Sequence, residues 1–190
     1  MPQPDYIHIL PVPEPETLDA DLHKYMRVCE EKLGLVPNVI RAFALRPERL
    51  RNFISTYNTI MLGESELTKL EREMVAVTVS CANRCYYCLV AHGQAVRQLS
   101  GDPELGEMLV MNYRTAPLPP RERAMLDFTW KMTERPAEID EVDRLALRKA
   151  GIHGAAYWDL CETIAFFNYT NRMAQGVDMI PNREYHAMDR

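Results

Sequence analysis

The sequence predicts an all-α protein, and three observations support that fold class. Residues that typically start or end helices occur along almost the whole chain, apolar residues recur at helical spacing, and no convincing strand pattern is found. The one β-favouring run, VAVTV at residues 75–79, lies between a capping box and another helix and is interpreted as buried helix. A chain of 190 residues is long enough for one sizeable core.

The first part of the chain begins with a proline-rich arm, residues 1–16, which is predicted to be extended. Apolar residues at helical spacing predict a first helix over residues 18–33, which ends at Gly34. A short helix after Pro37 and a longer one that starts at Pro47 are predicted next, because proline is favoured in the first turn.

The second part of the chain is predicted to be helical from Thr68 onwards. Thr68 and Glu71 have the capping-box form, in which each side chain satisfies a backbone N–H at the start of a helix. Asn83 can cap the next helix, so the cysteine cluster around it is predicted to open that helix. The predicted elements are helices over residues 84–99, 103–113, 119–134, 140–150 and 154–174, within a single domain of residues 17–176 that is followed by a C-terminal tail, 177–190.

A weak internal repeat accompanies these helices. The segments LTKLEREM (67–74) and LPPRERAM (118–125) share Leu, Glu, Arg and Met at an offset of 51 residues. The repeat predicts two similar helical halves packed around a pseudo-twofold axis. Glu73 in the first copy corresponds to Ala124 in the second, which no cysteine pair follows, so any chemistry is expected in one half.

Composition excludes several classes of protein. The residues are 47% hydrophobic and 26% charged, as in ordinary globular proteins. The net charge is −5 and the basic residues are scattered, which argues against a nucleic-acid-binding surface. No run of eighteen apolar residues and no signal-peptide pattern is present, so we expect a cytoplasmic protein without a membrane span.

The segment CANRCYYC, residues 81–88, contains three of the five cysteines and admits three interpretations. Its C-x3-C-x2-C spacing is that of a radical iron–sulfur site, but such sites belong to a β/α barrel, for which this chain shows no pattern. With His92 the three cysteines would offer zinc four ligands, although structural zinc sites usually draw their ligands from separate segments. Without Cys81, the remainder is a C-x-x-C redox pair.

The redox interpretation finds the groups that it needs. Cys85 is predicted near the second position of its helix, where free N–H groups and the helix dipole favour a thiolate. His92 follows Cys88 by four residues and can act as the base. Glu73, on the preceding helix, would orient His92 or pair with Arg84; the alternative is a solvated carboxylate in the run Glu71-Arg72-Glu73.

These residues resemble a known signature. Glu73, Cys85, Cys88 and His92 match the E-x11-C-x2-C-x3-H pattern of the AhpD-like alkylhydroperoxidases, within the wider carboxymuconolactone decarboxylase family. Longer segments, among them GESELTKLEREMVAVTVSCANRCYYC and FFNYTNRMAQG, are similar to the branch labelled peroxidase-related. The resemblance implies an AhpD-like helical fold, a homo-oligomer (dimer, trimer or hexamer) and reduction of hydroperoxides by a dithiol that cycles to a disulfide.

The resemblance also implies a role for each residue. Cys88 would be the attacking thiolate that becomes a sulfenic acid, and Cys85 the proton donor and resolving thiol. His92 and Glu73 would form the proton relay. Tyr87 stands where the well-known alkylhydroperoxidase has a relay histidine, and is expected to serve in the relay or to line the site. No metal or cofactor is expected, and the physiological dithiol reductant is not specified.

The alternative function is a non-catalytic helical protein with a Cys/His metal site or a redox-sensing cysteine pair. A decarboxylase activity is disfavoured, because the decarboxylase relatives lack the cysteine pair. Cys29 and Cys161 are interpreted as small core residues, and Cys81 as either a packing residue or a third redox thiol. The histidines outside the motif are interpreted as surface or capping groups; they are His8, His23, His153 and His186.

Overall fold

Helices account for all the regular secondary structure in a computed structural model that describes residues 3–190. The α-helices are α1 (Ala20–Leu33), α2 (Asn38–Phe43), α3 (Pro47–Tyr57), α4 (Lys69–Ala82), α5 (Tyr86–Ser100), α6 (Pro103–Asn112), α7 (Pro120–Glu134), α8 (Glu141–Lys149) and α9 (Gly154–Gly176). No strand occurs within these residues, which confirms the all-α prediction. None of the helices in residues 3–190 has both the length and the apolar character needed to cross a membrane.

Helix α4 lies at the centre of the fold and packs against α5, α6, α7 and α9. Every residue from Glu71 to Ser80 is buried, including the β-favouring segment 75–79, in which all five residues have no exposed surface. An apolar helix surrounded by other helices needs no polar face. The interpretation of this segment as buried helix is therefore confirmed.

The start of α4 has the predicted capping box. The Thr68 hydroxyl accepts from the Glu71 N–H at 3.1 Å, and the Glu71 carboxylate accepts from the Thr68 N–H at 2.8 Å. Glu71 also binds the Arg121 guanidinium of α7 at 2.7 Å. The cap therefore fixes the first turn of the central helix and joins it to α7.

Replacement of Thr68 by alanine should lower the free energy of unfolding by about 1 kcal/mol, because the Glu71 N–H loses its acceptor. Thr115 is the matched control, since its hydroxyl donates only to the Asn112 carbonyl in a short turn. Chemical denaturation of both alanine variants measures the difference. Equal stability losses would show that the cap contributes nothing specific.

The turn between α4 and α5 differs from the prediction. Arg84 has a left-handed backbone, with φ 54°, and it ends α4 where glycine is usual. The Cys85 N–H then donates to the Ser80 carbonyl at 2.9 Å. Helix α5 starts at Tyr86 with Cys85 as its N-cap, so the predicted start at Arg84 and the placement of Cys85 at the second helical position are wrong. The cause is the left-handed residue, which no glycine in the sequence signals.

The two ends of the chain lie against each other. Ile9 donates its N–H to the Val177 carbonyl at 3.1 Å, and Ile180 donates to the Ile7 carbonyl at 2.9 Å. His8 between them is only 5% exposed and contacts the Ala42 carbonyl, so it is not a surface group. Its Nδ1 accepts the Leu10 N–H at 3.0 Å, which agrees with the other interpretation, a capping group. The pairing of the chain ends, which sequence spacing does not reveal, covers this ring.

Two arginines in the repeated segments make similar contacts. Arg72 in α4 donates to the carbonyls of Ile60 and Gly63, which precede that helix. Arg123, 51 residues later in α7, donates in the same way to the Tyr113 and Ala116 carbonyls that precede its own helix. These parallel contacts favour the predicted relation between two halves, which stays a prediction.

Candidate active site

A carboxylate–imidazole pair joins α4 to α5. The Glu73 Oε2 atom lies 2.7 Å from His92 Nδ1, and the two side chains are 9% and 14% exposed. The His92 and Phe167 rings meet nearly at right angles, edge to face, with their centres 4.6 Å apart. Glu73 binds the Nδ1 atom of His92, and no hydrogen bond within residues 3–190 reaches the Nε2 atom of the same ring. The free nitrogen is the one that can exchange a proton with a substrate.

The two cysteines of the motif are both buried, with 1% of Cys85 and 3% of Cys88 exposed. A hydrogen bond from the Cys88 thiol lowers the pKa of the Cys85 thiol, and the N–H groups of Cys88 and Tyr87 and the charge of His92 lower it further, against the effect of burial. The same interaction with Cys85, together with burial, holds the pKa of Cys88 well above its ordinary value. A negative charge on the reduced pair is therefore favoured on Cys85 over Cys88.

The thiolate of Cys85 gives a pH-dependent signal. Far-ultraviolet thiolate absorbance should show one thiol that ionises at a lower pH than an ordinary cysteine does. As the pH falls through this lowered pKa, the thiolate takes up a proton and the absorbance is lost. The Cys85→Ser variant should lack the step and the Cys161→Ser variant should retain it. Retention of the step in Cys85→Ser would assign it to another group.

One cavity of about 540 Å³ brings most of these groups together. Cys88, His92 and Glu73 line it, whereas Cys85 is not among its lining residues. Cys88 is therefore the thiol that a ligand in the cavity reaches, and Cys85 lies behind it. The apolar side chains of α3 and α9 form much of the remaining wall, among them Phe53, Ile54, Phe166 and Phe167.

Tyr87 lines the same cavity but its hydroxyl is engaged elsewhere. The phenol oxygen accepts the Val39 N–H at 2.9 Å and so holds the start of α2. Burial raises the pKa of Tyr87 well above its ordinary value, which keeps the phenol protonated. Its structural contact is with α2, and a part in the proton relay remains a prediction.

A polar network behind the cysteines is not apparent from the sequence motif. Asn171 in α9 is fully buried, and its amide donates to the Ser80 hydroxyl at 3.1 Å. The Asn83 amide donates to Asn171 and Asn168 at 3.0 Å. The Asn171 carbonyl also lies 3.8 Å from Cys85 Sγ. These groups fix the α4–α5 turn, and only the polar residues in the apolar stretch FFNYTN of α9 could have drawn attention to them.

The remaining cysteines are separate from the pair or adjacent to its cavity. Cys81 points to the Met111 carbonyl of α6, with its sulfur 3.9 Å away. Within residues 3–190 no three His, Cys, Asp or Glu side chains converge as a metal site would need, so the four ligands of the zinc interpretation are not brought together. Cys161 is half-buried, while Cys29 is buried and lines the cavity.

Comparison with known proteins places the chain in a family. Residues 47–129 match the model of the carboxymuconolactone decarboxylase family. A peroxidase-related protein from Silicibacter sp. TM1040 is 55% identical, with all of both chains covered and a TM-score of 0.96. The chain belongs to the carboxymuconolactone decarboxylase family. The resemblance to its peroxidase-related, AhpD-like members is confirmed.

Further solved structures share the fold of this carboxymuconolactone decarboxylase family member. A peroxidase-related protein with an alkylhydroperoxidase AhpD core, from Ralstonia eutropha JMP134, is 40% identical over 98% of each chain, with a TM-score of 0.95. The debrominase Bmp8, solved with 2,3,4-tribromopyrrole, is 18% identical over 95% of this chain and 96% of its own, with a TM-score of 0.80, and is similar in fold alone. No curated protein matches the chain significantly.

Proposed function

We propose that the protein is a thiol-dependent peroxidase that reduces organic hydroperoxides through a disulfide cycle of Cys85 and Cys88. The observation that supports this most is that Cys88 and the Glu73–His92 pair line one cavity, with the Cys85 thiol behind them. A nucleophilic sulfur, a proton carrier and a second thiol are the groups that the reaction needs. The peroxidase-related names of the 55% and 40% identical proteins agree with this assignment.

In the first step Cys88 attacks the peroxide. Its proton passes to the neighbouring Cys85 thiolate, which leaves Cys88 as the nucleophile on the cavity side. The Cys88 sulfur bonds to the terminal oxygen of the hydroperoxide and the O–O bond breaks. The alkoxide that leaves takes a proton from His92 Nε2 and departs as the alcohol, so Cys88 is oxidised to a sulfenic acid.

In the second step Cys85 resolves the sulfenic acid. Neutral His92 takes the Cys85 proton, the Cys85 sulfur attacks the Cys88 sulfur, and the displaced hydroxide takes that proton to leave as water. The pair has then lost two electrons to the hydroperoxide and forms a disulfide. A dithiol reductant returns it to the thiols by exchange. The cycle needs a compartment that keeps such reductants reduced, and the proposal therefore includes a cytoplasmic location.

The experiment that tests this function counts products in a single turnover. Reduced protein has five free thiols, and one equivalent of cumene hydroperoxide should consume two of them and release one equivalent of the alcohol. Peptide mapping should locate the new disulfide between Cys85 and Cys88. Metal analysis of the same sample distinguishes a metal site, in which bound metal would block the pair.

The alternative function, a redox-sensing pair without catalysis, gives a different result. A sensor keeps its disulfide until a specific partner reduces it, so it consumes one equivalent of hydroperoxide even when a general dithiol such as dithiothreitol is in excess. Continuous alcohol formation therefore supports the enzyme, and a single burst supports the sensor.

A homo-oligomer remains a prediction, which light scattering in solution measures.

A further inference from the structure

We propose that the Cys88 cavity binds amphipathic carboxylates, with the apolar body against its aromatic wall and the carboxylate at Lys32 and Lys69. Combined with the proposed function, on which this part rests, the substrate is a hydroperoxide that carries a carboxylate, such as a hydroperoxide of a fatty acid. The inference depends on the size, wall and charge of the cavity.

The cavity is far larger than hydrogen peroxide requires. Its volume is about 540 Å³, within the range of roughly 300 to 1,000 Å³ of small-molecule sites. Hydrogen peroxide has two heavy atoms and fills about the share of two waters, roughly 60 Å³. A small peroxide would leave most of the apolar wall in contact with water, whereas a long alkyl or aryl group would cover it.

The wall of the cavity is apolar from its interior to its rim. Phe53, Phe166 and Phe167 form a continuous aromatic group, with neighbouring ring centres 5.6 and 5.4 Å apart. Leu33 and Leu62 also line the cavity and are 47% and 55% exposed, so they form part of its rim. Exposed leucines at the rim of an apolar cavity favour a ligand that extends out to the surface.

Two lysines give the cavity its charge. Lys32 in the last turn of α1 and Lys69 at the start of α4 both line it and are both exposed. Neither forms an ion pair or a side-chain hydrogen bond within residues 3–190, and the one carboxylate among the lining residues, Glu73, is held by His92. In a chain with a net charge of −5, two unpaired cations on one cavity favour an anionic ligand.

Lys32 is close to the cavity interior as well as to its rim. Its charge lowers the pKa of the cavity-lining Cys29 thiol, against the larger raising effect of burial.

The phenols of Tyr57 and Tyr185 line the same space and have no hydrogen bond within residues 3–190. Burial raises the pKa of both, so they stay protonated and can donate to ligand oxygens. The lysine ammonium groups at the rim can therefore bind the carboxylate of a ligand, and the phenols deeper in the cavity can donate to another oxygen of the same ligand.

The test measures binding without turnover. Decanoate and decanol have the same alkyl length, and calorimetry with the reduced protein should show tighter binding of decanoate. The double variant Lys32→Gln with Lys69→Gln should weaken decanoate binding by about fivefold or more, from the loss of two exposed ion pairs, and leave decanol unchanged. The double variant Lys32→Arg with Lys69→Arg should retain the affinity.

The matched control removes the same charge away from the cavity. Lys24 and Lys149 are exposed, do not line the cavity and form no ion pair within residues 3–190. The Lys24→Gln with Lys149→Gln variant should bind decanoate as the wild type does. Equal weakening in both double variants, or equal affinity of the wild type for decanoate and decanol, would overturn the proposal.

Turnover then links binding to the proposed function. The wild type should reduce a fatty-acid hydroperoxide with a higher kcat/KM than its methyl ester, and the Lys32→Gln with Lys69→Gln variant should lose that preference through KM. A wild type that reduces neither compound but binds decanoate through the lysines refutes the peroxidase function and supports the carboxylate site. The failures of the two proposals are therefore distinguishable.

Discussion

Replacement of Cys88 by serine should reduce the rate of hydroperoxide reduction by at least about a thousandfold. Cys88 is the motif thiol that lines the cavity, and a serine hydroxyl is a far weaker nucleophile towards a peroxide oxygen. The side chains have nearly the same shape, so the buried position should accept the change without unfolding. Steady-state turnover of cumene hydroperoxide with excess dithiothreitol measures the effect, and circular dichroism verifies the fold.

Two further cysteine variants make the result specific. Cys161 is half-buried and does not line the cavity, so Cys161→Ser should retain full turnover. Without added dithiothreitol, Cys85→Ser should attack once and then stop, because no neighbouring protein thiol resolves the Cys88 sulfenic acid, which a dimedone probe then labels. Continued turnover in Cys88→Ser, or sulfenic acid on Cys85 in the wild type, would assign the attack to another sulfur.

Much of the fold is predictable because local signals and packing agree. Thr68 and Glu71 announce the start of α4, and the apolar segment 75–79 continues it through the centre of the core. The start of α5 is not predictable, because Arg84 adopts a left-handed backbone that favours glycine. The burial of His8 also escapes prediction, since it depends on the pairing of chain ends about 170 residues apart.

The candidate site also has contacts that the sequence predicts and contacts that it does not. The contact between Glu73 and His92 is expected from spacing along two consecutive helices, and the structure places the two atoms 2.7 Å apart. The hydrogen bond between Ser80 and Asn171 is not expected from the sequence, because the two residues are 91 positions apart on different helices and a lone asparagine can have many roles. The order of the two thiol pKa values likewise depends on hydrogen bonds that only the folded turn supplies. Sequence patterns therefore identify the candidate reacting groups, while tertiary contacts shift their pKa values.

Replacement of Glu73 by glutamine should lower kcat by roughly a hundredfold and leave KM nearly unchanged. Glutamine can still accept the His92 Nδ1–H bond, so the ring keeps its position, but the amide has no charge to stabilise the imidazolium that donates to the leaving alkoxide. The effect should appear in the chemical step, because Glu73 acts on the reacting atoms through the proton of His92. Stopped-flow measurement of alcohol formation at several hydroperoxide concentrations separates kcat from KM.

The Glu73→Gln change should raise the stability of the protein or leave it unchanged, in contrast to its effect on activity. Glu73 is only 9% exposed, and a buried carboxylate costs solvation free energy that its pair with His92 repays only in part. At an alkaline pH, where the imidazole carries no charge that needs a partner, the neutral amide avoids this cost, so Glu73→Gln should unfold there at the same denaturant concentration as the wild type or at a higher one. Glu162→Gln, an exposed change on α9, should alter neither activity nor stability. A Glu73→Gln protein that loses stability in proportion to its activity would show that the carboxylate serves the fold and not the proton transfer.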